Sequence, residues 1–165
     1  SQGTMNNFIW GNDDFQNYET IAGGTGAGPG FDGTDAVQSH MTNTRMTDPE
    51  VLEKRFPVRL ERFAIRHGSG GSGRWRGGAG VVRRLRFLVP VTVTTLSLSR
   101  LVPPFGGDGG GVGALGENIA EQPDGSRQTV GGNCEVALPA GGVFEMRTPG
   151  GGGWGAVDRP TGERT

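Results

Sequence analysis

The sequence predicts a mainly β fold, two packed and bulged sheets with one or two short helices, and three observations carry that expectation. Apolar residues recur with period two through most of the segments able to build a core, which is the spacing of half-buried strands. Only one segment opens with a helix-starting signature. Glycine supplies 33 of the 165 residues and is gathered in blocks between the alternating runs. There it can provide turns, bulges or close approach of backbone, each at an entropic cost on folding.

Along the chain, Met5 to Trp10 reads as a short strand ended by Gly11 and the turn Asn12-Asp13-Asp14, and Tyr18 to Ile21 as a second. Thr47-Asp48-Pro49-Glu50 then starts a helix, with Thr47 as the cap, Glu50 completing a capping box and Pro49 suited to the first turn. Phe56-Pro57 ends that helix, because a residue before proline is disfavoured in the α region. Val58 and Leu60 next share one face, and Phe63 and Ile65 take the other parity. Leu85, Phe87, Val89, Val91 and Val93 alternate before Leu96 and Leu98 do the same. Each change of parity predicts a β-bulge, since one extra residue flips every later side chain. Pro90 cannot donate to a ladder and marks an edge or a bend. Glu117 to Gln122 and Arg127 to Val130 flank the hairpin signal Pro123-Asp124-Gly125. Cys134, Val136 and Leu138 alternate, as do Phe144, Met146 and Thr148, with Pro139 to Gly142 turning the chain between them.

A length of 165 residues suits one domain, residues 1–165, and an apolar content of 33% makes its core thin. The single cysteine, Cys134, excludes an intrachain disulfide, fits a reducing compartment and reads as a small buried hydrophobe. No apolar run approaches the ~18 residues that span a bilayer, and no leader opens the sequence, so the expectation is a cytoplasmic protein without a membrane partner. The net charge of −1 conceals a gradient. Residues 1–44 carry Asp13, Asp14, Glu19, Asp32 and Asp35 without Lys or Arg, whereas ten arginines fall between Arg55 and Arg100 against one acid, Glu61. Lys54 is the only lysine. Arginine without lysine favours fixed bidentate contacts over a diffuse nucleic-acid tail. The arginine face is therefore expected to pair with the acidic first third or with an acidic partner surface, and not with nucleic acid.

Two glycine fingerprints of the dinucleotide type occur, at Gly28-Gly30-Gly33 and Gly68-Gly70-Gly73. Neither is followed by a convincing helix start, which that chemistry needs to hold a pyrophosphate. The Gly-Lys-Ser/Thr of a P-loop is absent, as is a G-x-S-x-G elbow. His40 and His67 show no ligand spacing, so no metal site is expected from this segment. The densest polar stretch is Ser39 to Glu50. It suits either a capping network that orders a loop, or a substrate-facing loop in which His40, Asn43 and Arg45 contact a ligand. Asp32 and the glycines Gly26, Gly28 and Gly30 lead into it and complete the set of candidates.

Several of these stretches together resemble the hydantoinase B / 5-oxoprolinase family. They are Ser1 to Phe8, Tyr18 to Ile21 with the Gly-Gly-Thr-Gly-Ala-Gly-Pro-Gly-Phe31-Asp32-Gly33 block, His40 to Arg45, and Thr47-Asp48-Pro49-Glu50. Arg59 to Phe63, Gly-Ser-Gly-Arg74-Trp75-Arg76-Gly77-Gly78 and Thr148-Pro149 followed by four glycines and Trp154-Gly155 continue the series in order. The resemblance implies the C-terminal part of a B-type chain of an ATP-dependent cyclic amide hydrolase, opening a hydantoin or lactam ring. It implies ATP and a divalent metal for the complete assembly, with the family's metal motif upstream of Ser1. It also implies the remainder of the B chain and a hydantoinase A-type ATP-binding subunit as partners, with self-association open. A related ketone carboxylase, or a non-catalytic glycine-rich binding module, is the alternative. The segment alone is expected to be inactive.

Overall fold

Alternation resolves into two antiparallel sheets. The computed structural model describes residues 5–39, 42 and 44–157. In chain order the elements are β1 (Asn6–Gly11), β2 (Gln16–Thr20), α1 (Pro49–Arg55), β3 (Val58–Ile65), β4 (Val81–Phe87), β5 (Val91–Ser97), β6 (Glu117–Glu121), β7 (Arg127–Val130), β8 (Asn133–Leu138) and β9 (Val143–Arg147). One sheet has the order β2-β1-β5-β8 and the other β3-β4-β9-β6-β7. Phe8 and Trp10 of the first face Leu85, Phe87, Phe144 and Met146 of the second. Phe8 stacks on Phe144 with ring centroids 5.3 Å apart, and Trp10 meets Phe87 at 5.4 Å and Phe56 edge-on at 5.3 Å.

Three local expectations are corrected. The cap of α1 is Asp48 and not Thr47: its Oδ1 accepts from Glu50 N at 3.0 Å and Val51 N at 3.4 Å, while Pro49 takes the first helical position. The bulge in β3 is present between Leu60 and Arg62. The second is not. The run from Leu85 to Leu98 is two strands in different sheets, with the bend at Leu88-Val89-Pro90, and β5 pairs with β1 and β8 without interruption. Leu96 and Leu98 point outward, and Thr95 and Ser97 continue the buried parity of Val91 and Val93. Cys134, on the edge strand β8, is half-buried, with Sγ 3.1 Å from Thr95 Oγ1.

Those two hydroxyls mark where the interior turns polar. Asn118 Nδ2 lies 3.3 Å from Thr95 Oγ1 and 3.2 Å from Ser97 Oγ, joining the two sheets. Arg100 donates to Asn118 Oδ1 and to Asn6 Oδ1, both at 2.9 Å, and to Leu98 O at 2.7 Å. Asn6 and Asn118 are fully buried. On the outer face of the five-stranded sheet, arginines and carboxylates alternate across the strands. Arg84 reaches Glu61, Glu121 and Glu145, and Arg147 links Glu145 to Glu117, which also holds Arg66. The arginine-rich middle thus pairs mainly with acids of the same five-stranded sheet, most of them from the last third of the chain; among the described residues Arg76–Asp35 and Arg83–Glu19 reach the acidic first third.

The glycine blocks form a third structural unit. Segments 23–34, 69–80, 104–116 and 148–155 run beside one another, joined by main-chain hydrogen bonds between segments. Gly78 N donates to Thr25 O, Gly71 N to Gly151 O and Gly151 N to Gly78 O, each at 2.8 Å, and Gly153 N donates to Gly111 O at 2.9 Å. Trp75 and Trp154 exchange both main-chain bonds at 2.9 Å. A Cβ added to Gly77, Gly78, Gly151 or Gly153 would overlap main-chain atoms of the adjoining segment. None of these four has positive φ, so the glycine there supplies space and not a special turn, the reason glycine is required at the crowded axis of collagen. Thr148 fastens the unit to the sheets. Its hydroxyl accepts from Val81 N and donates to Ala22 O, both at 2.7 Å.

Candidate functional site

The loop that leaves β2 is held by this glycine unit. Pro29 and Gly30 form the centre of a turn in which Gly28 N donates to Phe31 O and Phe31 N to Gly28 O, both at 3.2 Å. Gly30 has φ 92°, the conformation of the third residue of a type II turn, with proline preferred before it. Ala27 N, beside Gly26, donates to Gly152 O at 2.9 Å. The amides of Gly24, Gly28 and Gly33 donate to Pro149 O, Phe31 O and Arg76 O, so they do not form a cradle for phosphate.

Two carboxylates set the path of the loop. Asp32 Oδ1 accepts from Arg76 N at 2.6 Å. Asp35 Oδ1 accepts from Ala79 N at 2.7 Å and Arg76 Nη1 at 3.0 Å. The Ala79 amide, assisted by Arg76, holds the Asp35 carboxyl below its ordinary value of 3.8. Its contribution is therefore present above that value and lost as pH falls through the depressed one. Asp35→Asn is expected to cost about 1–2 kcal/mol at pH 7 and to flatten the acid limb of the stability curve. Urea midpoints between pH 7 and pH 2.5 measure both, and parallel curves for the two proteins would contradict it.

Beyond Asp35 the loop returns to the end of β2. Gln38 Nε2 donates to Thr20 O, and Gln38 Oε1 is buried without a hydrogen-bond partner among the described residues. Thr42 closes a small turn, its hydroxyl donating to Ser39 O at 2.8 Å. Arg45 is exposed and precedes Asp48, which anchors α1. His40 and Asn43 lie outside the described residues. Of the candidates, then, Asp32 binds main chain at Arg76, Arg45 faces solvent, and Gly26, Gly28 and Gly30 shape the approach. Among the described residues no group of three or more His, Cys, Asp or Glu side chains is placed to hold a metal ion. No helix is long and apolar enough to cross a membrane.

Sequence reasoning missed Arg100. The apolar pattern gave no signal for it, since Leu96 and Leu98 read as a change of parity, and only the structure shows Thr95 and Ser97 continuing inward and making the interior polar there.

Residues 1–157 match the family model described as hydantoinase B/oxoprolinase. The chain is 51% identical over 94% of its length to 5-oxoprolinase 1 of Arabidopsis thaliana, and spans 12% of that protein. Its fold matches the crystal structure of the ATP-dependent caprolactamase from Pseudomonas jessenii with a TM-score of 0.73, at 22% identity, covering 94% of this chain and 30% of that one. It also matches a nucleotide-free structure of acetone carboxylase with a TM-score of 0.65, at 17% identity, over 93% of this chain and 26% of that one.

Proposed function

The chain belongs to the hydantoinase B/oxoprolinase family, and from that premise we propose that it is one domain of an ATP-dependent enzyme that opens a five-membered cyclic amide bearing a carboxylate, of the 5-oxoproline type. The observation that supports this most is the 51% identity with a 5-oxoprolinase over nearly the whole chain. The two solved structures support the fold. In this reading ATP is a substrate. Its γ-phosphoryl group passes to the ring carbonyl oxygen, the amide carbon becomes a better electrophile, and water adds to it. The C–N bond then breaks as the nitrogen takes a proton, which leaves an acyl phosphate, and a second water hydrolyses this to the carboxylate and free phosphate.

The contribution of this domain is a wall of the site. In this reading His40, Asn43 and Arg45 of the loop from Ser39 to Asp48 contact the substrate, the approach to the loop being held by the glycine unit and its far end by Asp48 at the start of α1. The rest of the B-type chain and an A-type ATP-binding subunit complete the site, and a divalent metal would be held outside these residues. A cytoplasmic location suits such a metabolic role. The test is ATP-dependent ring opening by the full-length protein with its A-type partner, read as ADP and ring-opened amino acid. Replacing His40, Asn43 and Arg45 together by alanine is expected to lower kcat/KM at least ~100-fold, as three polar contacts at about 1 kcal/mol or more each would, with stability unchanged. Wild-type turnover would remove the loop from the site, and bicarbonate-dependent ketone carboxylation in place of ring opening would overturn the reaction class.

A further inference from the structure

Arg100 is a half-buried cation without a carboxylate. Among the described residues no acid forms an ion pair with it; its acceptors are Asn118 Oδ1, Asn6 Oδ1 and Leu98 O, all neutral. A guanidinium has five N–H donors. Nε–H and one Nη2–H go to Asn118, the two Nη1–H go to Asn6 and Leu98, and one Nη2–H is left over. The position is built for this side chain: a Cβ on Gly116 would overlap the guanidinium, and one on Gly132 would lie 3.2 Å from Arg100 Cγ. Burial, with repulsion from Arg66 added, pulls Arg100 down to about 10. A partly desolvated guanidinium whose acceptors are all neutral still has its charge to offer to an anion.

A cleft of about 360 Å³ opens beside it, lined by residues 97–102 with Gly132 and Asn133. Its rim is apolar, with Leu98, Leu101 and Val102 all exposed. The location is tied to the loop described above. Arg100 binds Asn6 Oδ1, Asn6 Nδ2 donates to Ile21 O at 3.1 Å, and the next carbonyl back, Thr20 O, holds Gln38 at the start of that loop. Cleft and loop leave the same corner of the molecule.

We propose that Arg100 receives the carboxylate of the substrate, with the cleft around Leu98 and Leu101 accepting the methylene side of the ring. Arg100 is thus a specificity residue that selects ring amides carrying a carboxylate over neutral ones. The inference rests on the 5-oxoproline reading for the identity of the ligand, but the carboxylate site is separable from turnover.

The experiment uses the full-length protein with its A-type partner, and compares 5-oxoproline with its neutral carboxamide. Binding is measured by titration calorimetry without ATP, and kcat/KM with ATP. Arg100→Met is expected to weaken 5-oxoproline binding and kcat/KM by ~50-fold, the scale of a charge-assisted hydrogen bond, while leaving the carboxamide within about twofold. Arg100→Lys retains the charge and is expected to recover part of the loss, which covers the case in which the methionine protein does not fold. An equal loss for both ligands would make Arg100 structural and overturn the proposal, as would no loss for either. Protein that binds 5-oxoproline through Arg100 without opening it overturns the functional reading and keeps the site. Protein that opens 5-oxoproline as well after Arg100→Met does the reverse.

Discussion

Gly151→Ala is expected to lower the unfolding free energy by about 3 kcal/mol or more, at the upper end of what overpacking costs. A Cβ at this position would overlap Thr25 C and O and approach Gly26 N, all main-chain atoms of a segment held on its other side by Gly78 and Thr34. Side chains in a core can rotate away from an extra methyl group. Here only backbone is available to move, and its hydrogen bonds to the neighbouring segments would stretch or break with it. Gly131→Ala provides the control. The nearest atom to its added Cβ is Asn133 O at 3.7 Å, an ordinary contact, and its φ is not positive. That variant is expected to stay within about 0.5 kcal/mol of the parent, or to gain slightly by restricting the unfolded chain. Chemical denaturation of both variants decides the matter, and equal midpoints would show that the glycine unit has slack.

The second large effect concerns Arg83 and Glu19. Arg83 donates through Nε at 3.1 Å and Nη2 at 2.7 Å to the two oxygens of Glu19, and both side chains are almost wholly buried, at 1% and 2% exposure. The Phe63 ring covers the guanidinium, its centroid 5.5 Å from Cζ. Breaking such a pair from one side leaves an unpaired buried charge, and Arg83→Met is expected to cost about 3–5 kcal/mol. The double replacement Arg83→Met with Glu19→Leu is expected to recover most of that. The single variant also carries a signature in pH. Burial already pushes the Glu19 carboxyl up, and Arg83 opposes it. Without Arg83 the value rises further, so the folded state holds a proton that the unfolded chain has released. Stability of Arg83→Met should therefore increase as pH falls through the raised value. Guanidinium midpoints from pH 8 to pH 5 test this. A flat profile, or a double variant no better than the single, would deny the pair its role.

The strands were legible because alternation is a local signal. β1, β3, β6 and β7 fall within a residue or two of where Phe8 and Trp10, the Leu60–Arg62 bulge and the Asp124-Gly125 turn place them. What failed was the reading of one apolar run as one strand. Pro90 marked the bend, but nothing else in Leu85 to Val93 announces that the chain changes sheets there, since both sheets bury the same parity against one core. The glycine blocks were legible as close-packed backbone but not as a unit, because their contacts join segments far apart in sequence. Arg100 was hidden for the opposite reason. As one of fifteen arginines it looked like surface, and only its neighbours Asn6 and Asn118, brought from two different strands, show that its head reaches into the polar interior.

The glycine unit also sets an order of assembly. Its first segment, around Thr25, is completed by Gly78 and then by Gly151, which lies close to the opposite end of the chain. Contacts of such separation form late, after the loops between them have closed. During synthesis the loop that carries Arg45 therefore lacks its ties to Pro149 and Gly152 until that segment has emerged. The last block completes what Gly78 begins, and until it arrives the scaffold beneath the candidate site is unfinished.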